Sequence, residues 1–335
     1  MNRRLFLHTG SAAAVFTLTA CGGGGGGALG VETVGSAVPV TPVDSGPQPV
    51  TPSAAAVESV AAKGLPDKIL GCYYTTWDTG RFKITDVPVE FNVIYLFHAK
   101  PESRGSDGSY NNGGNGAFFF EHYDAVKPEQ IQACRARGQR VILTAGGAQA
   151  GYAWDNRTKS TNFVESIKVM YARLGGFDGL DFNNFEAHIL SAGNVAAVST
   201  EMVWIASQLK ALYGSEFAIT APPQPNSPEQ QRLMADMAKA GVLDYAGPQF
   251  YDWSGFNAPG YIKGRVDTWV GLLGDKRTVV GLSANYSNGP SMADCLREWD
   301  AAKAAHPGLR GMFCWSAQTQ LAGGNAWAKE MAKRL

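Results

Sequence analysis

An excess of charge of either sign is the first thing missing from this sequence. Lys and Arg number 29, Asp and Glu number 29, and the net charge is zero. No long-range field gathers nucleic acid or an acidic polymer, so no nucleic-acid partner is expected. Histidine is scarce: the five, at positions 8, 98, 122, 188 and 306, show no HExxH or paired metal spacing, and neither a metal nor a cofactor is expected. No serine sits in a GxSxG elbow. No GxGxxG follows the first apolar run and there is no P-loop; the glycine run Gly22–Gly27 has no strand before it and no helix after it. The apolar stretch Ala12–Ala20 is too short to span a bilayer as a stable helix. A wholly disordered chain is also excluded, because 45% of residues are hydrophobic and only 17% charged, which is ample for a core.

Cysteine is sparse as well. Of five, Cys72, Cys134, Cys295 and Cys314 are spaced too widely for a CxxC motif. Buried free thiols are expected there, and a Cys72–Cys314 bridge would require neighbouring strands. The fifth, Cys21, ends Leu18-Thr19-Ala20-Cys21 after a start containing Arg3-Arg4 and Phe6-Leu7. That pattern looks like a twin-arginine signal closed by a lipobox. Residues 1–20 are expected to be removed and Cys21 lipidated, anchoring the protein to the membrane of a bacterial cell envelope. The outer membrane follows if the cell is Gram-negative, with the protein surface-exposed as a further option. The alternative is an ordinary cleaved signal in which Cys21 is incidental. Residues 21–64, with the glycine run and a Pro/Val/Thr-rich stretch from Val38 to Pro52, read as a disordered tether.

From residue 65 to 335 the chain alternates short apolar runs with amphipathic segments. The runs are 69–74, 92–97, 140–144, 177–182, 217–220, 245–251, 278–282 and 311–315. Helical patterns lie at 128–137, 163–174, 195–213, 228–240, 265–273, 292–304 and 326–335. Short apolar runs bounded by turn signals read as buried parallel strands. Eight strand–helix units in about 270 residues predict an α/β fold, a single-domain (β/α)8 TIM barrel; an open doubly wound sheet is the alternative. Chemistry in such a barrel sits at the C-terminal strand ends. The densest polar cluster there is Asp178-Gly-Leu-Asp181-Phe-Asn183-Asn184-Phe-Glu186, with three acids and two amides. Carboxylates on a buried strand are costly unless bonded or used.

That run resembles the DGxDxDxE signature of glycoside hydrolase family 18, the chitinases and related endo-β-N-acetylglucosaminidases. Leu143-Thr-Ala-Gly-Gly147 is similar to the family's third-strand SxGG, Thr220-Ala-Pro-Pro223 to its fifth-strand MAPP, Gln249-Phe-Tyr-Asp252 to its sixth-strand motif and Met312-Phe-Cys-Trp315 to its last-strand Trp. The signature is altered: the family's acid position is Phe185, and Glu186 stands one residue late. A one-residue slip reverses the face of a strand residue. Either the site is dead, or a β-bulge near Phe182–Asn183 places Asn184 and Glu186 on one face, an Asn-x-Glu pair that resembles family 85 endo-β-N-acetylglucosaminidases.

The resemblance implies an endo-acting hydrolase of β-linked N-acetylglucosamine glycans, chitin-type or N-glycan-type, acting on a polysaccharide or oligosaccharide as a monomer. In substrate-assisted retaining hydrolysis the sugar's own acetamide is the nucleophile. Glu186 would be the proton donor, Asn184 would orient the acetamide, Tyr251 would hydrogen-bond it and Asp181 would tune the pair from beneath. Trp315 would floor the sugar site, and Asp178, Asn183, Tyr74, Trp77, Gln249 and Asp252 would complete substrate binding. The alternative is a catalytically inactive chitinase-like barrel that binds glycan or protein.

Overall fold

In the computed structural model, residues 61–77, 80–183, 189–252, 255–284, 286 and 289–335 are described. The expected signal, Cys21 and residues 21–60 of the expected tether lie outside the described residues, as do Asn184 and Glu186; residues 61–64, expected in the tether, are described, and Ala61, Lys63 and Gly64 are hydrogen-bonded to the barrel. All described residues belong to the unit Ala54–Leu335.

Eight parallel strands close a barrel. They are β1 (Ile69–Thr75), β2 (Val93–Pro101), β4 (Arg140–Gly146), β5 (Gly179–Asn183), β6 (Ala218–Ala221), β7 (Tyr245–Ala246), β8 (Val279–Gly281) and β9 (Gly311–Trp315). The ladder runs β7-β6-β5-β4-β2-β1-β9-β8, and the bridges Ala246↔Thr278 and Gln249↔Gly281 join its two ends. A ninth strand, β3 (Phe118–Phe120), pairs antiparallel with β2 outside the barrel. The predicted (β/α)8 fold is therefore the observed one.

Why the strands read as apolar on both faces is visible in β1, whose seven residues are all buried. Ile69 and Tyr73 point into the barrel with Val93, Tyr95, Ile142, Tyr245 and Phe313. Leu70, Cys72 and Tyr74 point outward into the layer beneath the helices. Phe313 fills the barrel because the positions around it lack side chains: a Cβ on Gly71, Gly247 or Gly281 would lie 3.1, 2.5 or 2.6 Å from it.

The helices start where capping residues stand. Asn156 caps α2 (Arg157–Arg173) through the amide of Lys159, Ser227 caps α4 (Pro228–Lys239) ahead of its proline, and Ser291 with Asp294 forms a capping box on α6 (Met292–Ala305). Further helices are α1 (Pro128–Ala136), α3 (Val195–Tyr213), α5 (Tyr261–Leu273), α7 (Ala317–Ala322) and α8 (Ala326–Ala332). The short α7 ties off β1, because the Gln318 amide both donates to and accepts from the Thr75 backbone, at 2.7 and 3.2 Å.

Cys72 and Cys314 are register partners on neighbouring strands, and all four described cysteines are free and buried.

Two expected substrate contacts are corrected here. Asp178 lies at the N-terminal end of the barrel, with no exposed surface. Its carboxylate accepts from the Lys63 amide at 2.9 Å, the Val141 amide at 2.9 Å and Arg135 Nε at 3.1 Å, and Arg135 Nη2 lies 2.9 Å from it. Arg135 also donates to the Ala61 carbonyl at 2.8 Å. Asp178 is thus a clasp beneath the barrel. Tyr74 faces the helix layer and donates its hydroxyl to the Phe82 carbonyl at 2.8 Å; strand alternation gives the inward position to Tyr73 instead.

Candidate active site

Alternation along β5 builds the floor of the site. Leu180 and Phe182 enter the outer core, whereas Asp181 turns inward. The Asp181 carboxyl is buried and accepts three hydroxyl hydrogen bonds, from Tyr73 at 2.8 Å, Thr220 at 2.7 Å and Thr144 at 3.3 Å. Burial pushes its pKa up to about 6, and the three hydroxyl donors oppose that rise. Asp181 thus lies beneath the pocket, held by residues from three other strands.

Above it a cavity of about 260 Å³ opens at the C-terminal strand ends, lined by Phe97, Gly147, Ala148, Asn183, Gln224, Gln249, Tyr251, Asp252, Tyr286 and Trp315. Five of the nominated residues therefore share one pocket: Asn183, Tyr251, Gln249, Asp252 and Trp315. Trp315 meets Phe97 edge-on, with centroids 4.8 Å apart, and lies 5.4 Å from the Tyr73 ring. Trp77 is 55% exposed at the rim, 6.3 Å from Trp315. Gln249 Nε2 donates to the Pro222 carbonyl at 2.6 Å, which fixes the plane of its amide.

Tyr251 is buried, and its hydroxyl has no hydrogen-bond partner among the described residues. Burial raises its pKa well above the ordinary phenol value, with Asp252 and Asp181 adding to the rise. A buried hydroxyl without a partner is a costly arrangement that a ligand can relieve. Asp252 follows directly, exposed at the pocket mouth in a left-handed conformation, φ 68°. Partial desolvation raises its carboxyl above the ordinary range.

Among the described residues, pairing with β4 runs without a shift from Ile142↔Gly179 to Gly146↔Asn183, and Asn183 lines the pocket from this regular strand; any bulge beyond Asn183 falls outside the described residues. The third-strand glycines make room for it. A Cβ on Gly146 would lie 2.2 Å from the Asn183 carbonyl, and one on Gly147 would lie 2.4 Å from the Phe97 ring; both glycines have positive φ, 94° and 123°. Asn184 and Glu186, expected as acetamide positioner and proton donor, lie outside the described residues.

Sequence reasoning does not nominate Tyr73, Thr144 or Thr220 as the cradle of Asp181, nor Phe97, Gln224 and Tyr286 as pocket lining. Parity is an available signal for Tyr73, which shares the count of Ile69. The others depend on which strands adjoin.

The fold and site define a barrel with an aromatic, amide-lined pocket at its C-terminal face. Comparison with known proteins makes the class more specific. No family model matches the chain. In sequence it is 26% identical over 188 residues to chitinase Chi52 of Paenibacillus xylanexedens, covering 52% of this chain and 32% of that protein; the chain thus spans about a third of that relative's length. In structure it is similar to a putative chitinase A from Streptomyces coelicolor, with TM-score 0.65 and 19% identity over 80% of this chain and 98% of that one. A family GH18 chitinase from Chromobacterium violaceum gives TM-score 0.64 and 18% identity over 81% of this chain and 84% of that one. The resemblance to glycoside hydrolase family 18 is borne out: the chain has that barrel and is similar in sequence to chitinases.

Proposed function

We propose that this chain is a glycoside hydrolase of chitin-type glycans, cleaving β-linked N-acetylglucosamine polymers with the substrate's acetamide as nucleophile. The carrying observation is the Tyr251 hydroxyl, buried and unpartnered among the described residues, in one pocket with Asn183 and Trp315. In this reading the hydroxyl donates to the acetamide oxygen and holds it beneath the anomeric carbon. The Asn183 side chain bonds the acetamide from the β5 side. Trp315 offers an apolar face to the sugar ring, and Asp181 supplies negative potential beneath the developing positive charge. The sequence similarity to chitinases supports chitin over N-glycans as substrate.

A barrel that binds glycan without turnover is the second reading. Its support is the altered signature, in which the family's acid position is Phe185 and Glu186 stands one residue late. Anchorage through a lipidated Cys21 at the cell envelope belongs to the proposal on sequence grounds. The test is product analysis on chitooligosaccharides and on a high-mannose glycopeptide. Cleavage of the first with retained anomeric configuration is expected. Binding of chitooligosaccharide without any product would instead establish the second reading.

A further inference from the structure

Strand β2 breaks its own alternation beside the pocket. Val93, Tyr95 and Phe97 point into the barrel, and Ile94 and Leu96 into the outer core. Regular alternation would turn Ala99 inward, yet Ala99 lies in the outer core. The ladder to β4 gives the reason. Phe97 pairs with Thr144 and Ala99 with Ala145, so two residues of β2 advance against one of β4. His98 is the extra residue of this bulge. Bulges re-aim side chains and are enriched next to active sites.

Here the re-aimed side chain is an imidazole. His98 is 9% exposed, and its Nδ1–H donates to the Gly146 carbonyl, which fixes the tautomer because a carbonyl only accepts. Burial lowers its pKa to about 4, so the ring is neutral near neutral pH. Its face stacks on the Phe97 ring, with centroids 4.0 Å and planes 8° apart, and Trp77 meets it edge-on at 6.0 Å. These neighbours belong to the pocket wall. Phe97 lines the cavity and packs against Trp315. Gly146 is the register partner of Asn183. Gly147 also lines the cavity, and a Cβ there would lie 2.9 Å from His98 Nδ1. His98 itself is not among the described lining residues.

We propose that His98 is a positioning residue for the glycan: it bonds the Gly146 carbonyl and stacks on Phe97, and so holds the β2 and β4 ends in the arrangement that receives the sugar. This rests on the reading that the pocket takes a chitin-type glycan. The ring backs the group of Phe97, Trp77 and Trp315, which offers its apolar faces to the sugar. The hydrogen bond fixes a turn of two glycines, residues with wide backbone freedom and no side chain of their own to hold them. Without the Nδ1 donor the buried Gly146 carbonyl loses that partner, and the turn is free to move away from Asn183. The cost falls on substrate binding, because His98 touches no reacting atom.

The experiment compares the full chain as wild type, His98→Asn, His98→Gln and His98→Leu. Asparagine carries an N–H where the imidazole has Nδ1, glutamine carries one at the place of Nε2, and leucine carries none. Calorimetry gives the Kd for chitotetraose, turnover of the same sugar gives kcat and KM, and thermal unfolding gives Tm. His98→Leu and His98→Gln are expected to raise Kd and KM about five- to tenfold, in keeping with one lost hydrogen bond to a buried carbonyl. Their kcat should stay within about threefold of wild type. His98→Asn should return Kd and KM to within about threefold. A merely structural role would lower Tm and the active fraction and leave the Kd and KM of the folded protein unchanged, which would overturn the proposal. So would a His98→Asn as weak in binding as His98→Leu. A wild type that binds chitotetraose without cleaving it overturns the hydrolase reading alone, since the Kd values of the variants still decide the role of His98. A wild type that binds no chitotetraose overturns the glycan reading and this role with it.

Discussion

Asp181 and Tyr251 show opposite solutions to burying a polar group. Asp181 satisfies its carboxyl with three hydroxyls, yet desolvation still lifts it to about 6. Its folded pKa therefore lies above its unfolded one, near 4. Between those values the native state binds more protons, so stability falls as pH rises from about 4 to about 6 and then levels off. Two units correspond to roughly 2–3 kcal/mol. Carboxylates held low, such as Glu121, Asp267 and Asp294, act in the other direction and at lower pH. Urea unfolding across pH 4–8 should show the fall in wild type and not in Asp181→Asn; an identical slope in both would remove Asp181 as its source. Tyr251 keeps an unpartnered hydroxyl instead. Tyr251→Phe should therefore leave stability unchanged or raise it by up to about 1 kcal/mol, while lowering kcat on chitooligosaccharide by ten- to a hundredfold. A stability loss of several kcal/mol without a change in turnover would mean that the hydroxyl serves the core.

Strand β5 and the residue before it carry three polar side chains to different levels of the barrel. Asp178 closes the N-terminal end, Asp181 sits on the axis and Asn183 reaches the mouth. The Asp178–Arg135 pair is fully buried and bonded to the backbone at Lys63, Val141 and Ala61. Removing one partner strands the other's charge, at a cost of about 3–5 kcal/mol. Asp178→Ala should lose that much in thermal or urea unfolding, and the folded fraction should keep the wild-type kcat and KM. A raised KM with unchanged stability would return Asp178 to the substrate. The eight strands are legible in the sequence because parallel barrel strands are apolar on both faces and bounded by turns, as the fully buried β1 illustrates. The same burial hides direction. Parity groups Tyr73 with Ile69, but because both faces of β1 are apolar, only the pairing of β1 with its neighbours shows that this face touches Asp181. The role of Asn183 is hidden in the same way: two adjacent amides look alike in sequence, and the regular ladder through Asn183 is what places that one at the pocket. Strand β3 and helix α7 escape because three and six residues are too few to set a period.

At the scale of the whole molecule, the described chain begins on the face opposite the pocket. Ala61, Lys63 and Gly64 are bonded to Arg135, Asp178 and Arg140 beneath the barrel, while every described pocket-lining residue comes from the C-terminal strand ends and the loops after them. The composition of residues 21–60, rich in Gly, Pro, Val and Thr, is that of a spacer sequence. On the lipoprotein reading, several acyl chains at Cys21 hold the protein far more firmly than one would. Cys21→Ser should then move the protein from membrane to soluble fractions, or block its processing. Because no described pocket-lining residue precedes Phe97, the purified variant should hydrolyse chitooligosaccharide with unchanged kcat and KM. On insoluble chitin presented to whole cells, its turnover should become independent of the cell fraction and follow the soluble one. Unchanged membrane fractionation of the variant would remove the anchor, and with it the reason for a spacer, while leaving the chemistry of the pocket as it stands.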